Sequence, residues 1–145
     1  MGKLMLALIA AAFLAGCQTA DDALTTGTTQ TAVTGSAASA IAGDMAGRLA
    51  EQIGSAGTTT IKMKNDQSEF ATALEAALKR RGYTVVADNK IGKDMKPLEL
   101  AYAIDSIDDQ VLAGVTTPSI AISRAYSLTA DGATPVSPLS VMQRN

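Results

Sequence analysis

The strongest secondary-structure signal in the chain is Gln67-Ser68-Glu69-Phe70-Ala71-Thr72-Ala73-Leu74-Glu75-Ala76-Ala77-Leu78-Lys79-Arg80-Arg81. Within it, Phe70, Leu74 and Leu78 recur every four residues and form one apolar stripe. This spacing is typical of an amphipathic α-helix that packs one face against a core. The sequence therefore predicts a helix from Gln67 to Arg81.

Both ends of this helix carry the expected signals. Asp66 and Glu69 have the spacing of a capping-box variant at the amino end. The basic run that ends at Arg81 complements the helix dipole at the carboxyl end, and Gly82 suits the left-handed position that follows a helix.

An earlier helix is predicted upstream, with Ser39 as its N-cap. Its apolar residues also recur every four positions, in a stripe formed by Ile41, Met45, Leu49 and Ile53. Gly54 and Gly57 are expected to end the helix. Gly43 and Gly47 weaken a helix intrinsically by up to about 1 kcal/mol each. We expect close packing against a neighbouring element to compensate for them.

Strand signals surround and follow the helices. They are alternating or β-branched segments, at residues 58–64, 83–87, 98–105, 110–117 and 119–128. Asp108 and Asp109 are predicted to turn a hairpin, and Pro118 to mark a bulge or a sheet edge. The segment after Gly132 is predicted to be extended and unpaired. Helices that precede an antiparallel run indicate an α+β fold, with two helices packed on one face of a small, largely antiparallel sheet.

The amino terminus has the organisation of a secretory signal. Lys3 precedes an apolar run from Leu4 to Phe13, which is shorter than the roughly 20 residues that span a bilayer. The sequence Leu14-Ala15-Gly16-Cys17 closes this run and resembles the bacterial lipobox, in which signal peptidase II cuts before a cysteine that carries lipid. The alternative is an ordinary signal peptide with an incidental cysteine.

These signals divide the chain into segments. We predict a lipoprotein signal peptide at residues 1–16, a lipidated flexible tether at 17–38, an α+β periplasmic domain at 39–130 and an extended tail at 131–145. The tether is rich in threonine, glycine and alanine and shows no helical or strand period. Gln18 after Cys17 favours the outer membrane by analogy with lipoprotein sorting in enterobacteria.

Composition excludes several classes of site. The chain has no histidine and a single cysteine, Cys17, so there is no internal disulfide, and a zinc site built on Cys and His is excluded. The formal net charge is −2 without a basic block, which argues against direct nucleic-acid binding. No phosphate-binding glycine loop or nucleophile elbow is present. We therefore predict no enzyme activity, no cofactor, no metal and no small-molecule substrate.

Two features are candidates for functional sites. Asp105, Asp108 and Asp109 form the densest acidic group, but the stretch lacks the ligand spacing and the glycine of a calcium loop, which favours a solvated turn. Arg124 lies on the apolar side of its predicted strand. A structural ion pair with Glu99 or Asp105 is the favoured interpretation, with ligand binding as the alternative.

Three features together resemble the TrbH family of conjugal transfer lipoproteins. They are the lipobox, the helix from Ser68 that runs into Arg81-Gly82-Tyr83, and the late strand Ser123-Arg124-Ala125-Tyr126. The resemblance covers nearly the whole mature chain. It implies a component of the type IV secretion apparatus that forms mating pairs, and it carries over no catalytic residue.

The expected function follows from that resemblance. It is a structural subunit held to the outer membrane through lipid on Cys17, facing the periplasm, that docks onto other conjugal transfer subunits. The alternative is a periplasmic lipoprotein that binds or regulates cell-wall machinery. A glycan-binding surface usually exposes aromatic residues, and this chain has no Trp, two Phe and three Tyr.

Overall fold

The computed structural model describes Val33 and residues 35–145, which form an α+β fold. The two helices of this part are α1 (Gly35–Ile53) and α2 (Glu69–Arg80). The strands are β1 (Thr60–Met63), β2 (Thr84–Ala87), β3 (Leu98–Ile107), β4 (Gln110–Thr116), β5 (Ile120–Thr129), β6 (Gly132–Pro135) and β7 (Ser140–Gln143), with a short 3₁₀ turn at Asp88–Lys90.

The strands form one mixed, mostly antiparallel sheet. Its order is β2-β1-β3-β4-β5-β6, with β7 also paired to β5. β1 is parallel to both β2 and β3, because α2 carries the chain from β1 across to β2 and the following loop returns it to the other side of β1. The remaining pairs are antiparallel: β3 to β6 follow one another as hairpins, and β7 continues in the direction of β6 along the same edge of β5.

Both helices cover the same face of this sheet, as predicted. The stripe Phe70, Leu74 and Leu78 of α2 is buried, and so are Ile41, Met45 and Leu49 of the α1 stripe. Alternate strand residues such as Ile104 complete the core, while their neighbours point to the uncovered face. Three aromatic residues, Phe70, Tyr102 and Tyr126, are the largest of the fully buried side chains, and aliphatic residues fill the rest of the core.

The folded part begins before the predicted N-cap. α1 starts at Gly35 rather than after Ser39. Val33 is 5% exposed and belongs to the core, and the Gly35 amide donates a 2.6 Å hydrogen bond to Oε2 of Glu69. The chain is therefore attached to the first turn of α2 at the point where α1 begins.

The amino end of α2 differs from the predicted capping box. Ser68 is the N-cap, and its Oγ accepts a 3.2 Å hydrogen bond from the Ala71 amide. Asp66 instead accepts hydrogen bonds from the amide and the hydroxyl of Ser68, at 3.0 and 3.1 Å. The helix begins at Glu69, so this residue is the first of the helix rather than the third, as a capping box requires, and its carboxylate binds the Gly35 amide instead.

The prediction that the segment after Gly132 is unpaired is wrong. β6 pairs with residues Tyr126 to Thr129 of β5, and β7 pairs with residues Ile120 to Ser123 of the same strand. Both segments lie end to end along one edge of β5. Their extended conformation was predicted, but edge pairing depends on a neighbouring strand that local sequence does not specify.

Two further expectations need correction. Pro118 lies in the turn between β4 and β5, which is closed by a 2.8 Å hydrogen bond from the Thr117 amide to the Ile120 carbonyl, rather than at a bulge or sheet edge. A methyl group added at Gly43 would meet no other atom within 4 Å, so close packing does not explain this glycine. Of the two helix glycines, only Gly47 faces another element, through the guanidinium of Arg81.

Candidate functional site

The most extensive polar network lies between α1 and β5. Asp44 accepts hydrogen bonds at Oδ2 from Nη1 of Arg124, at 3.0 Å, and from the hydroxyl of Tyr126, at 2.6 Å. Nε of Arg124 donates to the Ser137 carbonyl at 2.9 Å. One carboxylate therefore joins the helix to the sheet, and the arginine extends the network to the segment between β6 and β7.

The predicted partner of Arg124 is wrong, although the prediction of a structural ion pair is correct. Arg124 is beside Ala113 in the β4–β5 register, and Ala113 is beside Ile104, so all three point toward the helices. Asp105 follows Ile104 and points to the opposite face. Glu99 also lies on that opposite face, where it pairs with Lys62.

The network is suited to holding elements together rather than to proton transfer. Burial, and then the hydrogen bond to Asp44, raise the pKa of Tyr126 well above its usual range. The hydroxyl therefore stays protonated and acts as a donor at neutral pH. Asp44 was not among the residues predicted to matter. Its position three residues after Ile41, at the border of the apolar stripe of α1, was the available signal.

A second network supports the amino end of α2. The Tyr102 hydroxyl donates to Oδ2 of Asp66, which also accepts from Ser68. The Tyr102 hydrogen bond is the largest cause that lowers the pKa of Asp66, against a smaller opposing effect of burial. The Tyr102 ring packs on Phe70, with centroids 5.4 Å apart. This group fixes the start of α2 on β3.

Two of the three residues of the acidic group lie in a solvated hairpin turn, as the sequence favoured. Asp108 and Asp109 are exposed between β3 and β4, and Asp108 adopts a left-handed backbone with φ of 52°. Asp105 is half-buried on the uncovered face of the sheet. Within residues 35–145, no three Asp, Glu, His or Cys side chains gather closely enough to hold a metal ion.

The clefts of the described domain are shallow. One of about 490 Å³ lies at the carboxyl ends of β1 and β2, where Lys64, Asp66 and Lys90 contribute to its walls. Its Lys79 is paired with Glu75 at 2.5 Å. Another, of about 440 Å³, lies at the opposite end of the sheet, between the end of α1 and the starts of β3 and β5.

Cys17, the predicted lipidation site, lies outside the described residues, as do the predicted signal peptide and most of the predicted tether. Among the helices that the structure describes, none is both long enough and apolar enough to cross a membrane.

Comparisons with known proteins identify relatives. The family model described as "Conjugal transfer protein TrbH" matches residues 19–145. A protein of Sinorhizobium fredii (strain NBRC 101917 / NGR234), named "Probable conjugal transfer protein TrbH", is 63% identical over 148 residues that cover 100% of both chains. No solved structure matches. The chain belongs to the TrbH family of conjugal transfer proteins.

Proposed function

We propose that this protein is a lipid-anchored structural component of the type IV secretion apparatus that forms mating pairs during conjugation. The observation that carries the proposal is the match to the TrbH family over residues 19–145, together with full-length similarity to a relative named as a conjugal transfer protein. In this role the domain acts by docking onto other transfer subunits.

The anchor is assigned to Cys17 by its local sequence. Leu14, Ala15 and Gly16 precede it at the end of an apolar run, as in the lipobox. With lipid at Cys17, the segment up to Val33 connects the membrane to a domain whose core includes Val33. About fifteen flexible residues have a root-mean-square reach of roughly 20 Å. The domain would therefore be held near the membrane, on the periplasmic side of the outer membrane.

A docking role fits the polar chemistry of the domain. The half-buried carboxylates hold elements of the fold together. Asp44 accepts hydrogen bonds from Arg124 and Tyr126, and Asp66 accepts hydrogen bonds from Ser68 and Tyr102. Several large apolar side chains are instead exposed, among them Ile107 at 53% and Met142 at 62%. Exposed apolar side chains are available for protein contacts.

The anchoring part is tested by Cys17→Ser, with Thr28→Ser in the tether as the matched control. We expect the Cys17 variant to leave the membrane fraction and to reduce plasmid transfer from donor cells at least tenfold, while the control behaves as the wild type. Membrane sedimentation and unimpaired transfer by Cys17→Ser would refute the role of the lipid.

The docking part is tested by crosslinking the protein in donor cells and identifying the captured proteins by mass spectrometry. Capture of other conjugal transfer subunits is the expected result. Capture of cell-wall enzymes alone would contradict the secretion role and support the alternative of a cell-wall regulator.

A further inference from the structure

The sheet has an open edge at β2. Among the described residues, β2 pairs with β1 alone, so no strand lies on its other side. The Thr84 amide donates to the Thr59 carbonyl, just before β1, at 3.4 Å. Because successive residues of a strand direct their backbone groups to opposite sides, the amides of Val85 and Ala87 point away from β1. These two amides, here called the edge amides, are available to an added strand.

A polar groove runs beside this edge, between β2 and α2. It is the cleft of about 490 Å³ described above, here called the β2 groove. Residues 85–87 of β2 line one side, and Ala71, Glu75 and Lys79 line the other, where they recur every four residues along one face of α2. An extended segment can add to such an edge through its backbone, while alternate side chains enter the groove.

The carboxylates that line the β2 groove are already occupied. Glu75 pairs with Lys79 of the same helix at 2.5 Å. Asp66 accepts hydrogen bonds from the hydroxyl groups of Ser68 and Tyr102. Neither carboxylate is therefore available to neutralise a further cation in the groove.

Two lysines close one end of the β2 groove. Lys64 follows β1 and Lys90 follows β2, and both line the groove. The Asn65 amide donates to Oδ1 of Asp88 at 3.0 Å, which joins the two loops that carry these lysines. Neither lysine forms an ion pair with another residue of the described domain. This end of the groove therefore suits an acidic segment.

The part of the chain that precedes Val33 contains a segment of matching chemistry. Between Cys17 and Val33 the only charged residues are Asp21 and Asp22. Residues 23–32 contain five threonines and no proline, a composition that suits a strand. The segment therefore offers two carboxylates next to residues that can pair through their backbone.

The chain also enters the domain next to the β2 groove. The Gly35 amide donates to Oε2 of Glu69, in the first turn of α2, the helix that lines the groove. Residues 23–32 span up to about 33 Å when extended, whereas a helix with its side chains is about 10–12 Å wide. The two aspartates can therefore reach the two lysines within one chain.

We propose that residues 20–26 dock in the β2 groove of their own chain as an added strand, with Asp21 and Asp22 facing Lys64 and Lys90. Carbonyl groups of the segment accept hydrogen bonds from the edge amides. The ion pairs fix which part of the segment lies at the lysine end of the groove, and the backbone bonds hold it along β2.

Docking shortens the connection between the domain and residue 17. Only residues 18 and 19 then separate Cys17 from the docked segment, which is a span of about 10 Å. With lipid on Cys17, the β2 edge therefore faces the membrane. This orientation rests on the proposed anchor, whereas the docking itself does not.

Amide exchange in the full chain tests the docking. The protein is purified from cells in mild detergent, as the cells process it, and NMR follows the two edge amides. We expect both to exchange at least tenfold more slowly in the wild type than in Asp21→Lys with Asp22→Lys. Asp109→Lys with Asp131→Lys is the matched control, because it changes the net charge equally at exposed positions outside the groove. Its exchange should equal that of the wild type.

Charge reversal in the groove tests the ion pairs in the same assay. Lys64→Glu with Lys90→Glu should also accelerate exchange of the edge amides at least tenfold, and combining it with the reversed aspartates should restore slow exchange. Lys93→Glu with Lys96→Glu is the matched control, since both lysines are exposed and neither lines the groove. Loss of protection without rescue, or equal loss in the control, would refute the pairing.

Other outcomes overturn the proposal. Exchange of the edge amides at the rate of an open chain in the wild type shows that no segment pairs with β2. Protection that survives reversal of Asp21 and Asp22 shows that something else covers the edge. Protection that increases with protein concentration shows that a second copy supplies the strand. Each outcome can be read whether or not Cys17 carries lipid and whether or not plasmid transfer needs the anchor.

Discussion

Arg124 on β5 and Asp44 on α1 form an ion pair between positions that are 80 residues apart in the chain, with Nη1 3.0 Å from Oδ2. Their side chains are 18% and 24% exposed. Tyr126 donates to the same oxygen, so a single carboxylate fixes α1 on the final long strand. The first prediction concerns this carboxylate.

Asp44→Ala should lower the free energy of unfolding by about 2 kcal/mol, because it leaves a half-buried guanidinium and a buried tyrosine hydroxyl without their acceptor. Urea denaturation measures the change. Glu51→Ala is the control: its pair with Arg48 is exposed, and a loss of less than about 0.5 kcal/mol is expected. Equal losses from the two variants would show that the Asp44 network contributes no more than a surface pair.

Asp66 should make the domain sensitive to acid. Its folded-state pKa is lowered, chiefly by the Tyr102 hydroxyl. A lowered pKa contributes stability that is fully present above the unfolded value of about 4 and is lost as the pH falls through the folded value. Unfolding measured between pH 7 and pH 2 should therefore show a loss below about pH 4 that is smaller in Asp66→Asn.

Tyr102→Phe provides the matched variant for the acid response. It keeps the Asp66 carboxylate and removes the donor, so it should reduce the loss below about pH 4 and cost about 1 kcal/mol at neutral pH. An acid response identical to that of the wild type in both variants would contradict the assignment.

Gly43→Ala should stabilise the domain by about 0.5–1 kcal/mol, because alanine favours the helix interior and the added methyl group meets open space. Gly82→Ala should do the opposite, since Gly82 has φ of +95° and the new methyl would lie 3.3 Å from that of Ala56. The left-handed backbone alone costs about 1–2 kcal/mol. Thermal unfolding of both variants checks the sign, and a destabilised Gly43→Ala would refute the first part.

The carboxyl-terminal strand should be part of the cooperative fold. The amide of Arg144 donates to Ser119, and that of Val136 donates to Ala125 at 2.9 Å. Both amides should be protected in hydrogen exchange. A chain that ends at Pro138 keeps the contacts of Ser137 but loses β7, and it should unfold at a lower urea concentration. Exchange of Arg144 at the rate of an open chain, with no stability change on truncation, would show that β7 does not pair.

Local pattern was sufficient to predict both helices and the first five strands. The stripes of α1 and α2, the hairpin at Asp108 and Asp109, and the alternation from Leu98 through Tyr126 were all predicted from residue spacing, and the structure confirms them. Periodicity works here because the two helices and the long strands β3, β4 and β5 each bury one face, which imposes a regular separation of apolar and polar residues.

Contacts between segments that are distant in the chain were harder to predict from the sequence. The cap of α2 was assigned to the wrong residue because Asp66 and Ser68 are both suitable N-cap residues, and only the structure shows that the helix begins at Glu69. The partner of Arg124 was sought among nearby strands, although alternation places Glu99 and Asp105 on the other face. The tail lacked a local signal for pairing because β6 and β7 are short edge strands held by β5.

The sequence by itself determined the α+β class, the order of the helices and the early strands, and the resemblance to the TrbH family, because these depend on local periodicity and on short motifs. Tertiary structure alone decided which carboxylate meets Arg124, that Val33 enters the core, that the tail joins the sheet, and that the open edge of β2 lies beside α2. These are relations between residues far apart in the chain, and they arise only when the sheet register and the packing of the helices bring the residues together.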